Sequence, residues 1–183
     1  DFTVEDYVAT LDKHGIRYGV IAAASPWSDY NDYTIDSVRW NPRLRGTVIV
    51  RSSVERYILE LMKRDGIVGV RLPFIGLSSL PDLTSFEYRR LLKRIADLDW
   101  HVQLHVPPDQ LVAHADMVRR LPSSIVVDHM PRPPQPAGIK HPAFKLVCEL
   151  IDKGRTWVKL AARLAAQTDY SAATAIAQAW IAA

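Results

Sequence analysis

The chain has 183 residues, 48% of them hydrophobic and 23% charged, enough for one sizeable core. Its 23 Lys and Arg against 20 Asp and Glu leave a net charge of +3, and the basic residues sit among acids in "MKRDG", "EYRRLLKRIAD" and "DMVRR". That interleaving argues against nucleic acid as a partner, which would need a concentrated basic patch. No apolar run approaches the ~20 residues that span a membrane.

The chain opens at "DFTVEDYVATLDKHG", with no Met and no signal-like segment, and stops in "AIAQAWIAA". Both ends read as helix interiors, so a longer parent is expected, with a cytoplasmic location. The first helix stops at His14-Gly15, and the first strand candidate follows, "YGVIAAAS" (18–25). In the next loop Trp27, Tyr30 and Tyr33 either wall a pocket or pack as ordinary loop residues. A helix stopping at Asn41-Pro42 leads to "LRGTVIV" (44–50). Ser52 with Glu55 reads as a capping box for a helix striped by Val54, Ile58, Leu61 and Met62, ending at Asp65-Gly66. "IVGVRLPF" (67–74) comes next. Thr84 with Glu87 then reads as the capping box of a helix striped by Leu91, Leu92, Ile95 and Leu98.

"WHVQLHV" (100–106) alternates strictly and precedes the helix "DQLVAHADMVRRL". "SIVVDHM" (124–130) follows. Pro142 suits the first turn of a helix after His141, with a stop at Lys153-Gly154. In that helix the lone cysteine, Cys148, sits at an apolar position and reads as a buried, inert thiol. The last strand candidate is "TWVKLAA" (156–162). Strands separated by such helices run parallel. Their regular recurrence fits a (β/α)₈ TIM barrel of α/β class, incomplete here, as one domain over 1–183. A doubly wound open sheet is the structural rival, but the Gly-rich first turn it normally shows is absent.

The strand faces carry the chemistry. Trp100, Val102, Leu104 and Val106 belong against helices, so His101, Gln103 and His105 point into the barrel. At ~3.3 Å per residue His101 and His105 lie roughly 13 Å apart, too far to share one ion. Only His105 reaches the C-terminal mouth, where barrel enzymes work. His129 shares parity with Ile125 and Val127 on the next strand and is placed to converge with His105 on one ion or one substrate oxygen. Asp128, of opposite parity, is expected to orient a group behind the site. Arg71 and Lys159 point inward by the same parity, and Arg132 follows in the loop. That set of cations suits an anionic substrate. His14, His114 and His141 read as helix-associated and are set aside.

The ordered segments "LRGTVIV", "GIVGVRLPF", "WHVQLHV", "IVVDHMPRP" and "RTWVKL" resemble the amidohydrolase superfamily, in the branch of lactonases similar to 2-pyrone-4,6-dicarboxylate lactonase. The likeness covers nearly the whole chain. It implies a distorted (β/α)₈ barrel with its second to seventh strands visible, and hydrolysis of a small-molecule ester or lactone. His105 matches the histidine ending the fifth strand and His129 the one in the sixth. Arg71 and Arg132 match arginines that hold substrate carboxylates. The implied mechanism is water attack on the carbonyl, which the histidines polarise directly or through a Zn²⁺ held by His105 and His129. Both the metal-bound and the metal-free form are open.

The family's first-strand H-x-H and its last-strand Asp, the implied general base, lie outside this chain, which alone is expected to be inactive. Ala161-Ala162, Pro131 and Pro107-Pro108 replace family residues near the site, so a pyrone dicarboxylate substrate does not follow. Rival readings are a metal-dependent decarboxylase of aromatic acids and a non-catalytic carboxylate-binding barrel. The expected partner is an anionic small molecule, with homo-oligomerisation possible, and with neither nucleic acid nor membrane.

Overall fold

The computed structural model describes residues 2–130, 138–161 and 170–182, with side chains of the last helix described from Thr174. The chain divides into two compact units, Asp1–Arg71 and Leu72–Ala183.

In the first unit, helix α1 (Val4–Lys13) begins with a capping box that sequence reading missed, Thr3 with Asp6. Each side chain bonds the other's backbone amide, and the Tyr33 hydroxyl takes a third orphan donor, Val4 N–H, at 2.9 Å. Strands β1 (Gly19–Ile21), β2 (Leu44–Val48) and β3 (Ile67–Pro73) pair in parallel in that order. A register shift lies between Gly46 and Thr47 of β2. Helix α2 (Asp32–Arg39) packs closely on β2 at Gly46, where a Cβ would come within 2.9 Å of both Thr34 and Ile67 side-chain carbons. Glycine is therefore needed there for close approach.

Helix α3 (Arg56–Asp65) departs from expectation at its start. Arg51–Val54 closes a turn (Val54 N to Arg51 O, 3.0 Å), so Glu55 and not Ser52 is the N-cap. The buried stripe shifts with it: Leu59 is fully buried, whereas Leu61 is exposed. The stop is as expected, Gly66 taking φ +109 as a left-handed C-cap.

In the second unit, helix α4 (Phe86–Asp97) buries Leu91, Leu92, Ile95 and Leu98 as its spacing predicts. Each such burial is worth roughly 1.5–3 kcal/mol. Its cap is Ser85, one residue later than expected, because Thr84 donates its amide and hydroxyl to Asp82 and so holds the Asp82 carboxyl below its ordinary range. Strands β4 (His101–His105), β5 (Ile125–Val127) and β6 (Thr156–Val158) pair in parallel in that order.

The helical stretch between β4 and β5 breaks in two at His114, giving α5 (Pro108–Ala113) and α6 (Ala115–Arg119). Helix α7 (Pro142–Asp152) starts as read, with Pro142 in its first turn and His141 Nδ1 accepting from Ala143 N. His141 also meets Asp109 of α5 at 3.0 Å. Helix α8 (Tyr170–Ala182) packs through Trp180 on Phe144 of α7, ring centroids 4.1 Å apart. No helix among the described residues is long and apolar enough to cross a membrane.

All six expected strands are present, each shorter than its apolar run.

Candidate active site

Strand β4 presents its two faces as the alternation requires. Trp100, Val102 and Leu104 are almost fully buried. Gln103 and His105 are buried too, among polar partners. His101, expected to point into the barrel, is only half-buried.

Strand β5 ends at Val127, so the parity used to place His129 does not extend to it. Asp128, His129 and Met130 form a turn instead, with His129 at φ +54 and Met130 at φ +53. Two consecutive non-glycine residues in the left-handed region cost ~1–2 kcal/mol each. Met130 is fully buried. Burying such a side chain, at roughly 1.5–3 kcal/mol, offsets much of that strain. Three backbone bonds fix the turn: Asp128 N to Leu104 O at 2.9 Å, Lys159 N to Val127 O at 2.9 Å, and Met130 N to Lys159 O at 3.1 Å.

The result brings His129 against His105, ring centroids 5.0 Å apart and planes at 75°, an edge-to-face pair. The expected convergence is present, by a turn and not by strand parity. Asp128 belongs to the same cluster and not behind it, since one donor atom from each of His105, Asp128 and His129 lies within 4.8 Å of the others. The Asp128 side chain has no solvent exposure. It accepts from Gln103 Nε2 at 2.8 and 2.9 Å, one bond to each oxygen, and lies 3.1 Å from Lys159 Nζ. Gln103 was recognisable as inward-facing from its spacing to His105. Its bond to Asp128 depends on the register between β4 and β5, which no local pattern encodes.

Imidazole nitrogens with a carboxylate are a donor set that zinc takes, so the residues fit a divalent metal in kind.

Arg71 belongs to the first unit. It is buried, and its Nη1 donates to Ala23 O and to Ser25 Oγ, both at 2.9 Å. The loop after β1 is held further by Asn31, which bonds both the amide and the carbonyl of Ile49, a structural role that sequence reading missed. Trp27, Tyr30 and Tyr33 do wall a pocket, a cavity of about 540 Å³ also lined by Phe2 and Ala22–Ala24. Arg132 lies outside the described residues. Cys148 is half-buried, not buried, and desolvation pushes its thiol pKa up, which keeps it a poor nucleophile.

A family model described as amidohydrolase matches residues 1–183. The chain belongs to the amidohydrolase family. It is 29% identical over 161 residues to 4-sulfomuconolactone hydrolase of Rhizobium radiobacter, a match covering 87% of this chain and 54% of that protein. It is 28% identical over 155 residues to 2-pyrone-4,6-dicarboxylate hydrolase of Comamonas testosteroni, covering 83% and 50%. The chain thus spans about half the length of these relatives. A crystal structure assigned as a 2-pyrone-4,6-dicarboxylic acid hydrolase, from Acinetobacter baumannii with citric acid bound, superposes with a TM-score of 0.86 at 28% identity. That match covers 96% of this chain and 67% of the other. The chain therefore has the α/β fold of an incomplete TIM barrel, as its strand spacing predicts, and the open-sheet rival falls away.

Proposed function

We propose that this protein hydrolyses a small carboxylate-bearing lactone or ester by water attack on the carbonyl, with His105 and His129 as the reacting pair. The observation that carries the reading is the edge-to-face approach of these two rings, 5.0 Å between centroids, against a buried carboxylate. The names of the two lactone hydrolases support the substrate class, and the citric acid bound in the Acinetobacter structure supports a carboxylate ligand.

One ring nitrogen of each histidine lies within 4.8 Å of the other's, so one substrate oxygen bound between them would accept hydrogen bonds that strengthen as negative charge develops on it. A divalent metal held by His105 and His129, zinc by the chemistry of the donors, would supply Lewis acidity to the carbonyl or to water.

The test is a panel of lactones and aromatic carboxylic acids with the purified full-length parent protein. Acid release from a lactone, abolished in His105→Ala, is the expected result. Carbon dioxide release would assign a decarboxylase instead, and full lactonase activity in His105→Ala would sink the site. Arg71→Lys and Arg132→Met test the carboxylate-holding roles that the resemblance implies, and are expected to raise KM more than they lower kcat.

A further inference from the structure

A carboxylate with no solvent exposure needs its charge compensated from within the protein. For Asp128 the compensation is already in place. Lys159 Nζ stands 3.1 Å from Oδ1, and the Gln103 amide donates to both oxygens at 2.8 and 2.9 Å. Neither partner is incidental. Gln103 lies on the same face of β4 as His105, two residues before it. Lys159 is fixed through its backbone, donating to Val127 O and accepting from Met130 N, so it brackets the turn that carries Asp128 and His129.

We propose that Lys159 is a tethered cation that keeps Asp128 from ligating a metal, so that position 159 sets a low affinity for divalent ions at the His105–His129 pair. The inference rests on the reading of those histidines as the reacting pair and adds what controls ion binding there. Two physical arguments carry it. Asp128 already accepts from Gln103 at both oxygens and faces Lys159 at Oδ1, so fewer of its lone pairs are left for a metal. A metal must also enter beside an ammonium that already neutralises that carboxylate, where like charge opposes it. The side chain of Lys159 is 39% exposed, so it can be exchanged without opening a core cavity.

Zinc titration of the purified protein against a chromophoric chelator tests this without any substrate. Lys159→Met is expected to tighten zinc binding about 10- to 100-fold, the range over which residues behind a metal ligand alter affinity. Asp128→Asn is expected to leave it unchanged, and the double variant to return to the parent value. Lys159→Arg, which keeps the charge, is expected to keep the low affinity. If Lys159→Met does not fold, Lys159→Gln removes the charge while retaining a donor to Asp128, and carries the same expectation. Unchanged or weaker zinc binding on removal of the charge would overturn the proposal, as would a loss of affinity in Asp128→Asn alone. Lactone turnover is measured separately, so failure of the hydrolase reading and failure of this one give different results.

Discussion

Strand β4 and the turn after β5 each deliver one histidine to the same cluster, by opposite means. In β4 the delivery is regular: alternation puts Gln103 and His105 on one face and Val102 and Leu104 on the other. After Val127 regularity stops, and two left-handed residues swing His129 to within 5.0 Å of the His105 ring. Regular structure is cheap and readable; the irregular turn carries strain and is held by neighbours. Strain of this kind, kept at the cluster itself, is what a functional site preserves.

The sharpest way to break the comparison is to remove the histidines in turn. His129→Ala and His105→Ala should each lower lactone turnover about 10²- to 10⁴-fold, the span expected for a group that handles a proton. If only one of them did so, the two routes would not be serving one site. On the regular side, Leu104→Ala deletes a nearly fully buried side chain. It should cost about 2–5 kcal/mol in denaturant unfolding; a loss well below that range would mean the apolar face of β4 is not the core it looks like. Gln103→Leu addresses the link between the two elements, since it strips a donor from buried Asp128. A cost of about 1–3 kcal/mol is expected, and near-zero change would make the bond dispensable. The smallest effect concerns left-handed backbone away from the site. Exposed Asp99, at φ +57 after α4, should accept glycine with a gain of up to about 1 kcal/mol, read as a raised denaturation midpoint. Equal stabilisation from His129→Gly would show that the strain at the turn has no compensating contacts.

What could be read in advance follows the same divide. The α4 stripe and the β4 faces depend on periodicity alone, and both hold. The helix starts at Glu55 and Ser85 were misplaced because a nearby turn, in one case, and the pull of Asp82 on Thr84, in the other, decide where the first helical residue falls. His129 was assigned to the right neighbour through a parity that ends two residues too early. Asp128 was expected behind the site because its strand was expected to continue. Its partners Gln103 and Lys159 lie 25 residues before it and just past the end of the following strand, and only the pairing of β4 with β5 and β5 with β6 brings them to it.

The backbone bonds around Lys159 have a consequence in time as well as in space. The amides of Asp128, Met130 and Lys159 bond Leu104, Lys159 and Val127 respectively, so none of the three can open without loosening the same turn. In native-state hydrogen exchange these three protons should therefore be released together, as one cooperative opening that belongs to the turn and not to any single strand.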